Sequence, residues 1–233
     1  MAGWFDLVRV KFIADFVKDN RWRYIVNGLG VTLEVTVFAV LIGIVLGFLV
    51  ASIRSAHEKT GKLKLANAVC KAYLTVVRGT PVLVQLLIIY FVIFGSMPVN
   101  KVIVAIIAFG INSGAYVAEI VRSGILSVDP GQMEAGRSLG FNYMGTMRFI
   151  VMPQALKNVL PALGNELIVL LKETSVSGYI ALQDLTKGGD IIRGRTYDAF
   201  MPLVAVALIY LAIVVGLSKC VALLERRLRS SDH

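Results

Sequence analysis

Hydrophobic and polar positions fall in long blocks along the chain. The clearest apolar block covers residues 28–53, GLGVTLEVTVFAVLIGIVLGFLVASI, in which Glu34 is the one charged residue. A helix of this length crosses the roughly 30 Å hydrocarbon core of a bilayer, because each residue adds about 1.5 Å. The pattern therefore predicts a helix that spans a membrane.

Four further blocks predict crossings, which makes about five in all. They cover residues 81–95, 102–120, 154–171 and 200–224. The first of the four is short, so it spans the core only if it is tilted or continues from the helix before it. We expect Pro161 and Gly164 to interrupt the helix over 154–171. Residues 54–64 predict a polar turn, and residues 172–200 predict a loop with one short helix.

The first residues carry a different pattern. Trp4, Val8, Phe12 and Phe16 recur at helical spacing with charges between them. Such a helix lies in the membrane interface, and no small-residue cleavage site follows it, so we expect it to be retained. The predicted organisation is an interfacial segment 1–27, a single transmembrane domain 28–225 and a cytoplasmic tail 226–233.

Composition agrees with a membrane protein. Hydrophobic residues make up 57% of the 233, charged residues only 17%, and mean hydropathy is +0.74. The net charge of +9 does not indicate nucleic-acid binding, since the basic residues are scattered between apolar blocks. Cys70 and Cys220, the two cysteines, are predicted to be packing residues on the cytoplasmic side.

Charge bias predicts the orientation. Segments 54–78, 122–157 and 219–229 together hold 14 lysine and arginine residues, against nine in the N-terminal and other outer segments, with Lys172 near a boundary. Basic residues favour the cytoplasmic side. With five crossings, the N-terminus is then outside and the C-terminus is cytoplasmic.

A polar stretch interrupts the apolar blocks at residues 127–153, SVDPGQMEAGRSLGFNYMGTMRFIVMP. Asp129 and Pro130 predict a capped helix start, and Gln132 completes a capping box. Gly140 can take the left-handed conformation that closes this helix, and a second, partly apolar helix should end before Pro153. A short helix is unstable alone in water, so it needs a partner surface.

The same stretch resembles the cytoplasmic signature of importer permeases of the ATP-binding cassette class. That signature is Glu-Ala-Ala, three residues, Gly, nine residues, then Ile-x-Leu-Pro. Glu134-Ala135-Gly136, Gly140 and Ile150-Val151-Met152-Pro153 match its spacing, with Gly136 in place of Ala and Met152 in place of Leu.

The resemblance extends from about residue 28 onward. VVRGTPVLVQLLIIYF, NSGAYVAEIVRSGI and LPALGNELIVLLKETS are similar to segments of polar amino acid permeases, which move histidine, glutamine, glutamate, arginine or opines. This implies a multi-pass subunit of a bacterial cytoplasmic (inner) membrane importer that works by alternating access. Its implied partners are a dimer of ATPase subunits, a second identical or homologous permease and an extracytoplasmic amino-acid-binding protein.

In such importers the short helix docks in a groove of the ATPase. The residues that the resemblance assigns to this coupling are Gln132, Glu134, Ala135, Gly136, Leu139, Gly140, Ile150 and Pro153. The alternative is a loop that only packs on its own helix bundle.

Ionisable residues at bilayer depth are costly and usually face a cavity or a partner. Those that could bind an amino acid in the membrane are Glu166, Asn165, Asn112, Ser113 and Tyr116. The alternative is that they hydrogen-bond between helices as packing contacts. Glu119 is expected to pair with Arg122, and Arg78 to reach lipid phosphates.

The chain lacks a phosphate-binding loop of the Gly-x-x-x-x-Gly-Lys-Ser/Thr type, so it is predicted not to be an enzyme by itself. No cofactor, metal site or catalytic residue is expected, because His57 and His233 lie far apart in sequence. ATP and magnesium should bind the partner ATPase. The predicted class is an all-α integral membrane protein with an interfacial helix and a coupling helix. An ion-coupled transporter or channel, and a membrane scaffold, are the alternatives.

Overall fold

The computed structural model describes residues 4–229, and these are helical almost throughout, with no strand among them. The ends of the predicted segments 1–27 and 226–233, including His233, lie outside the described residues. The α-helices of the described part are α1 (Trp4–Phe12), α2 (Trp22–Thr60), α3 (Lys64–Gly79), α4 (Val82–Ile88), α5 (Lys101–Leu126), α6 (Pro130–Ser138), α7 (Tyr143–Thr146), α8 (Met152–Glu173), α9 (Leu185–Thr196) and α10 (Phe200–Arg229).

Three helices of the described part, α2, α5 and α10, are long and apolar enough to cross a membrane. The pair Lys64–Gly79 and Val82–Ile93, bent by 111°, raises the number to four if it forms one span. The predicted crossing at residues 154–171 is present as the 22-residue α8, but its polar content keeps it out of this set. The all-helical class is confirmed, and the count of five crossings stays a prediction.

Several predicted helix ends are wrong. Helix α2 continues through most of the predicted polar turn to Thr60, so the turn is reduced to the residues around Gly61 and Leu63, both of which have a positive φ. Helix α8 runs through Pro161 without interruption, because membrane helices accommodate a proline when neighbouring groups satisfy the freed carbonyl.

The second helix of the polar stretch does not end before Pro153. The π turn Met147–Val151 joins α7 directly to α8, and Pro153 is the second residue of α8. A proline ring normally clashes with the carbonyl four residues earlier, and a wider π turn relieves that clash.

The helices divide into two compact units. The first contains residues 4–39, Val82–Phe109 and Val169–Gly216. Its core includes Phe16, which is buried, whereas Phe12 of the predicted interfacial stripe is exposed. The side chain of Trp4 lies outside the described residues.

The predicted loop 172–200 also belongs to this unit. It contains the 3₁₀ segment Thr174–Ile180 and the single α-helix α9, which confirms the predicted short helix. Asp184 caps α9 by accepting from the backbone amides of Thr186 and Lys187, at 3.2 and 3.0 Å.

The second unit contains Val40–Pro81, Gly110–Ile168 and residues 217–229. Cys70 lies in its core with Leu74 and Ala118, which confirms the packing role predicted for this cysteine. Cys220 is exposed, so the same prediction is wrong for it. The hydroxyl of Tyr73 donates to the carbonyl of Ile111 at 2.6 Å, which holds α3 against α5.

Candidate functional site: an intramembrane polar pocket and an exposed capped helix

Two of the predicted pathway residues are in direct contact. The hydroxyl of Ser113 in α5 donates to Oε1 of Glu166 in α8 at 2.8 Å. Ser113 is fully buried and Glu166 is 8% exposed. A buried carboxylate needs such a donor, because burial without a hydrogen bond costs several kcal/mol (about 2 or more).

Glu166 lines an open pocket of about 550 Å³ in the second unit. Tyr116 lines the same pocket, together with Arg78, Glu119 and Asn158. Tyr116 and Glu119 share one face of α5, and Asn158 and Glu166 share one face of α8, since residues three, four or eight apart align on a helix. The pocket thus joins two carboxylates, hydroxyl and amide groups and a guanidinium.

Three predicted pathway residues do not line this pocket. Ser113 is connected to it only through the hydrogen bond to Glu166. Asn112 is buried beside Ser113 but is not among the lining residues. Asn165 is exposed. Asn165 immediately precedes Glu166 in α8. Successive side chains of a helix point about 100° apart, so the two residues face different directions.

Glu119 of this pocket is also the centre of an ion-pair cluster. The guanidinium of Arg122 lies 2.6 Å from Oε1 of Glu119, which confirms the predicted pair. Arg78 lies 3.6 Å from Oε2 of the same carboxylate, and its guanidinium carbon is 6.0 Å from the ring centre of Tyr116. Arg78 therefore interacts with α5, a contact that sequence reasoning missed because 41 positions separate Arg78 from Glu119.

The polar stretch forms the short helix α6 with the predicted cap. Oδ1 of Asp129 accepts from the amide of Gly131 at 2.7 Å. Gly140 has φ +87°, and the amide of Phe141 donates to the carbonyl of Gly136 at 3.1 Å, which closes the helix as predicted. The capping-box role predicted for Gln132 is replaced by a contact with Gln154, whose side-chain amide donates to it at 3.2 Å.

Gly136 replaces the alanine of the signature for a steric reason. It is the buried residue of α6, and a Cβ added there would collide with Cγ2 of Thr146 and approach Cδ1 of Ile150 at 2.9 Å. Helix α6 therefore packs on α7 and the following turn more closely than a methyl group permits.

The rest of the stretch is largely open. Glu134, Ala135, Gly140 and Pro153 are exposed and Leu139 is 76% exposed, whereas Gln132 and Ile150 are half-buried. Met144 and Phe149 are 68% and 64% exposed, and the sequence assigned neither of them to the coupling surface. We call these three apolar side chains, Leu139, Met144 and Phe149, the apolar tip.

The inward side of the stretch packs on its own unit. Val128, Val151 and Ala155 form a buried cluster with Met133 and Met147 against it. The packing alternative thus describes one face of the stretch and leaves the other face open. Among residues 4–229, no group of three or more histidine, cysteine, aspartate or glutamate side chains is placed to hold a metal ion.

Long apolar helices, a polar pocket among them and a capped polar helix with an exposed apolar tip define a membrane transport component. The comparisons with known proteins identify the family. Residues 43–230 match the family of binding-protein-dependent transport system inner membrane components, and the chain belongs to this family.

Relatives with similar sequences are also transport permeases. The chain is 36% identical to the glutamine transport system permease protein of Escherichia coli, with 88% of this chain and 93% of that protein covered. It is 35% identical to the arginine transport system permease protein of Bacillus subtilis, with 90% and 94% covered.

A solved amino acid ATP-binding cassette transporter is similar in fold and sequence. It matches at 42% identity and a TM-score of 0.83, over 95% of this chain and 97% of that one. The chain is therefore a multi-pass permease subunit of an amino acid importer of this class in a bacterial inner membrane. ATP hydrolysis belongs to a partner subunit, so the permease is not itself an enzyme.

Proposed function

We propose that this subunit carries a polar amino acid into the cytoplasm by alternating access and that α6 transmits the movement of a separate ATPase subunit. The observation that carries the proposal is the exposed apolar tip beside a helix that is fixed at both ends. Exposed apolar patches on a segment that faces solvent indicate a contact with another protein. ATP and magnesium bind the ATPase partner in this proposal.

The substrate site is the 550 Å³ pocket. An amino acid needs an acceptor for its ammonium group and a donor for its carboxylate. Glu166 supplies the acceptor and Arg78 the donor, since both line this pocket. Tyr116 and Ser113 complete the site as a hydroxyl donor and as the residue that fixes the Glu166 carboxylate. The glutamine and arginine named for the relatives are the substrates to test first.

The complete transporter contains a second permease, either this chain or a homologue, two ATPase subunits and an extracytoplasmic amino-acid-binding protein. The N-terminus is outside and the C-terminus is cytoplasmic, because the polar stretch and the other basic segments then lie on the cytoplasmic side. Asn112 supports the pathway as the buried neighbour of Ser113, whereas Asn165 is exposed and lies outside the pocket.

The test is reconstitution of the chain with its ATPase in lipid discs. Binding protein plus glutamine or arginine should stimulate ATP hydrolysis, and Leu139→Asp should abolish the stimulation. Leu65→Asp is the control, because Leu65 is 80% exposed but lies on α3, outside the polar stretch. Transport that needs an ion gradient and no ATPase would overturn the proposal in favour of a secondary transporter.

A further inference from the structure

A second polar pocket lies in the first unit, whereas the proposed substrate pocket belongs to the second. It has a volume of about 660 Å³ and is formed by the turn after α1 and by the segment that joins α9 to α10. Its charged lining comprises Asp15, Lys18, Arg21 and Arg195, with the pair Lys11 and Asp198 at one side. The described lining thus holds four basic and two acidic side chains.

Three buried polar atoms of this pocket lack a hydrogen-bond partner within the described part of the chain, and one of them, Oδ2 of Asp198, is in an ion pair with Lys11. Asp15 is 2% exposed, and its Oδ2 accepts no hydrogen bond there. Lys11 interacts with Asp15 electrostatically, but its ion pair is with Asp198, 2.8 Å from its ammonium. An orphaned buried carboxylate oxygen is rare and indicates a missing partner.

The second atom is Nε of Arg21. The other two nitrogens of this guanidinium are used, since Nη1 donates to the carbonyl of Ala14 and Nη2 to Asp19, each at 2.8 Å. Nε is buried and has no acceptor among the described residues. The same pocket therefore contains a carboxylate oxygen of Asp15 that needs a donor and a guanidinium nitrogen of Arg21 that needs an acceptor.

A ligand that satisfies both atoms carries a primary ammonium and an anionic group close together. The ammonium would donate to Oδ2 of Asp15, and the anion would accept from Nε of Arg21, with Arg195 and Lys18 as further cations. Free amino acids and ethanolamine phospholipids share this chemistry.

The surroundings favour a lipid. The segment that lines the pocket also exposes large apolar side chains: Phe12, Ile13 and Val17 are 52%, 45% and 54% exposed. Trp22, the first residue of α2, is 45% exposed. Apolar and tryptophan side chains at the start of a membrane helix are typical of the headgroup level. We propose that this pocket binds the head group of an ethanolamine phospholipid.

The test is native mass spectrometry of the full-length chain, purified in detergent and titrated with three lipids of equal acyl chains. Phosphatidylethanolamine should bind about tenfold more tightly than phosphatidylcholine, because methylation removes the N–H donors that Asp15 needs. Phosphatidylethanolamine should also bind about tenfold more tightly than phosphatidylglycerol, because phosphatidylglycerol has no ammonium group. Equal binding of the ethanolamine and choline lipids would overturn the proposal.

Two variants locate the effect. Asp15→Asn should bring the preference for the ethanolamine lipid to within about twofold of the choline lipid, since an amide accepts an ammonium more weakly than a carboxylate does. Asp6→Asn is the matched control, on α1 before the π turn Ile13–Val17 that contains Asp15 and outside the pocket lining, and it should keep the preference. If Asp15→Asn does not fold, Arg21→Lys replaces it. This variant should weaken binding of the ethanolamine and the choline lipid alike, because both carry the phosphate that Arg21 binds, and unchanged affinity for both lipids contradicts the assignment.

A final arm separates the two sources of the ligand. Calorimetry with free glutamine or arginine should detect no binding that depends on Asp15. Binding that is lost in Asp15→Asn and retained in Glu166→Gln would assign the pocket to a free amino acid and overturn the lipid proposal. These measurements need neither ATPase nor uptake, so they are independent of the proposed transport function.

Discussion

Ser113 and Glu166 are 53 positions apart in sequence, and their side chains meet in one buried hydrogen bond of 2.8 Å between α5 and α8. The bond fixes one carboxylate oxygen of Glu166 at the edge of a pocket that also contains Arg78. A carboxylate accepts several hydrogen bonds at once, so Glu166 can keep Ser113 and still bind an ammonium group. The packing and pathway interpretations of Glu166 are therefore compatible.

The first prediction concerns Glu166. Glu166→Gln should raise the substrate KM by about tenfold to a hundredfold, because a hydrogen bond to a charged group contributes about 1.5 to 3 kcal/mol. Uptake assays over cationic, neutral and acidic amino acids measure the change. Asn165→Ala is the control, since Asn165 is exposed and does not line the pocket. A larger change in KM for Asn165→Ala than for Glu166→Gln would place the substrate site elsewhere.

The second prediction concerns Gly136. Gly136→Ala should destabilise the polar stretch by about 1 to 3 kcal/mol, as overpacking usually does, because the new methyl group collides with Cγ2 of Thr146. Thr146→Ser removes that methyl and keeps a hydroxyl that can donate to the carbonyl of Asn142. The double variant should recover part of the thermal stability that the single variant loses. No recovery would mean that the close contact does not limit this position.

The third prediction concerns Gly140. Its φ of +87° is unfavourable for other residues, although a Cβ there would meet no atom within 4 Å. Gly140→Ala should therefore cost about 1 kcal/mol through backbone strain alone. Gly194→Ala in α9 is the matched control with equally open surroundings and a helical backbone, and it should be neutral or slightly stabilising. Thermal unfolding in detergent compares the two, and equal shifts would contradict the strain argument.

The fourth prediction is a pH dependence at Asp184. Burial raises the pKa of this carboxyl from 3.8 to about 6, against the opposing effect of the backbone amides of Thr186 and Lys187. The folded state thus holds the proton more tightly than the unfolded state. The contribution of Asp184 to stability is largest below pH 4 and falls as the pH rises through about 6, by roughly 3 kcal/mol in total at 1.36 kcal/mol per pH unit.

Asp184→Asn isolates this contribution. The asparagine side chain does not titrate in this range, so the melting temperature of the variant relative to the wild type should rise between pH 4.5 and pH 7.5. A constant difference over that range would show that Asp184 does not change its protonation on unfolding.

Much of the fold and of the polar stretch 127–153 could be predicted from local sequence. The cap of α6 depends on Asp129 and Pro130, and its closure depends on Gly140, and all of these act on backbone groups a few positions away. The pair of Glu119 with Arg122 follows from their spacing of three within one helix. Helix ends were predicted less well, because α2 and α8 continue past residues that would end an isolated helix.

By itself, the sequence determined the apolar helices, the capped exposed helix and the spacing of the family signature, since each of these depends on residues close together in the chain. Only the tertiary structure decided that Glu166 lines a pocket while Asn165 does not, that Arg78 joins Glu119, and that Gly136 has no room for a methyl group. The reason is physical. A helical period fixes which residues share a face, but only packing against other helices determines what that face meets.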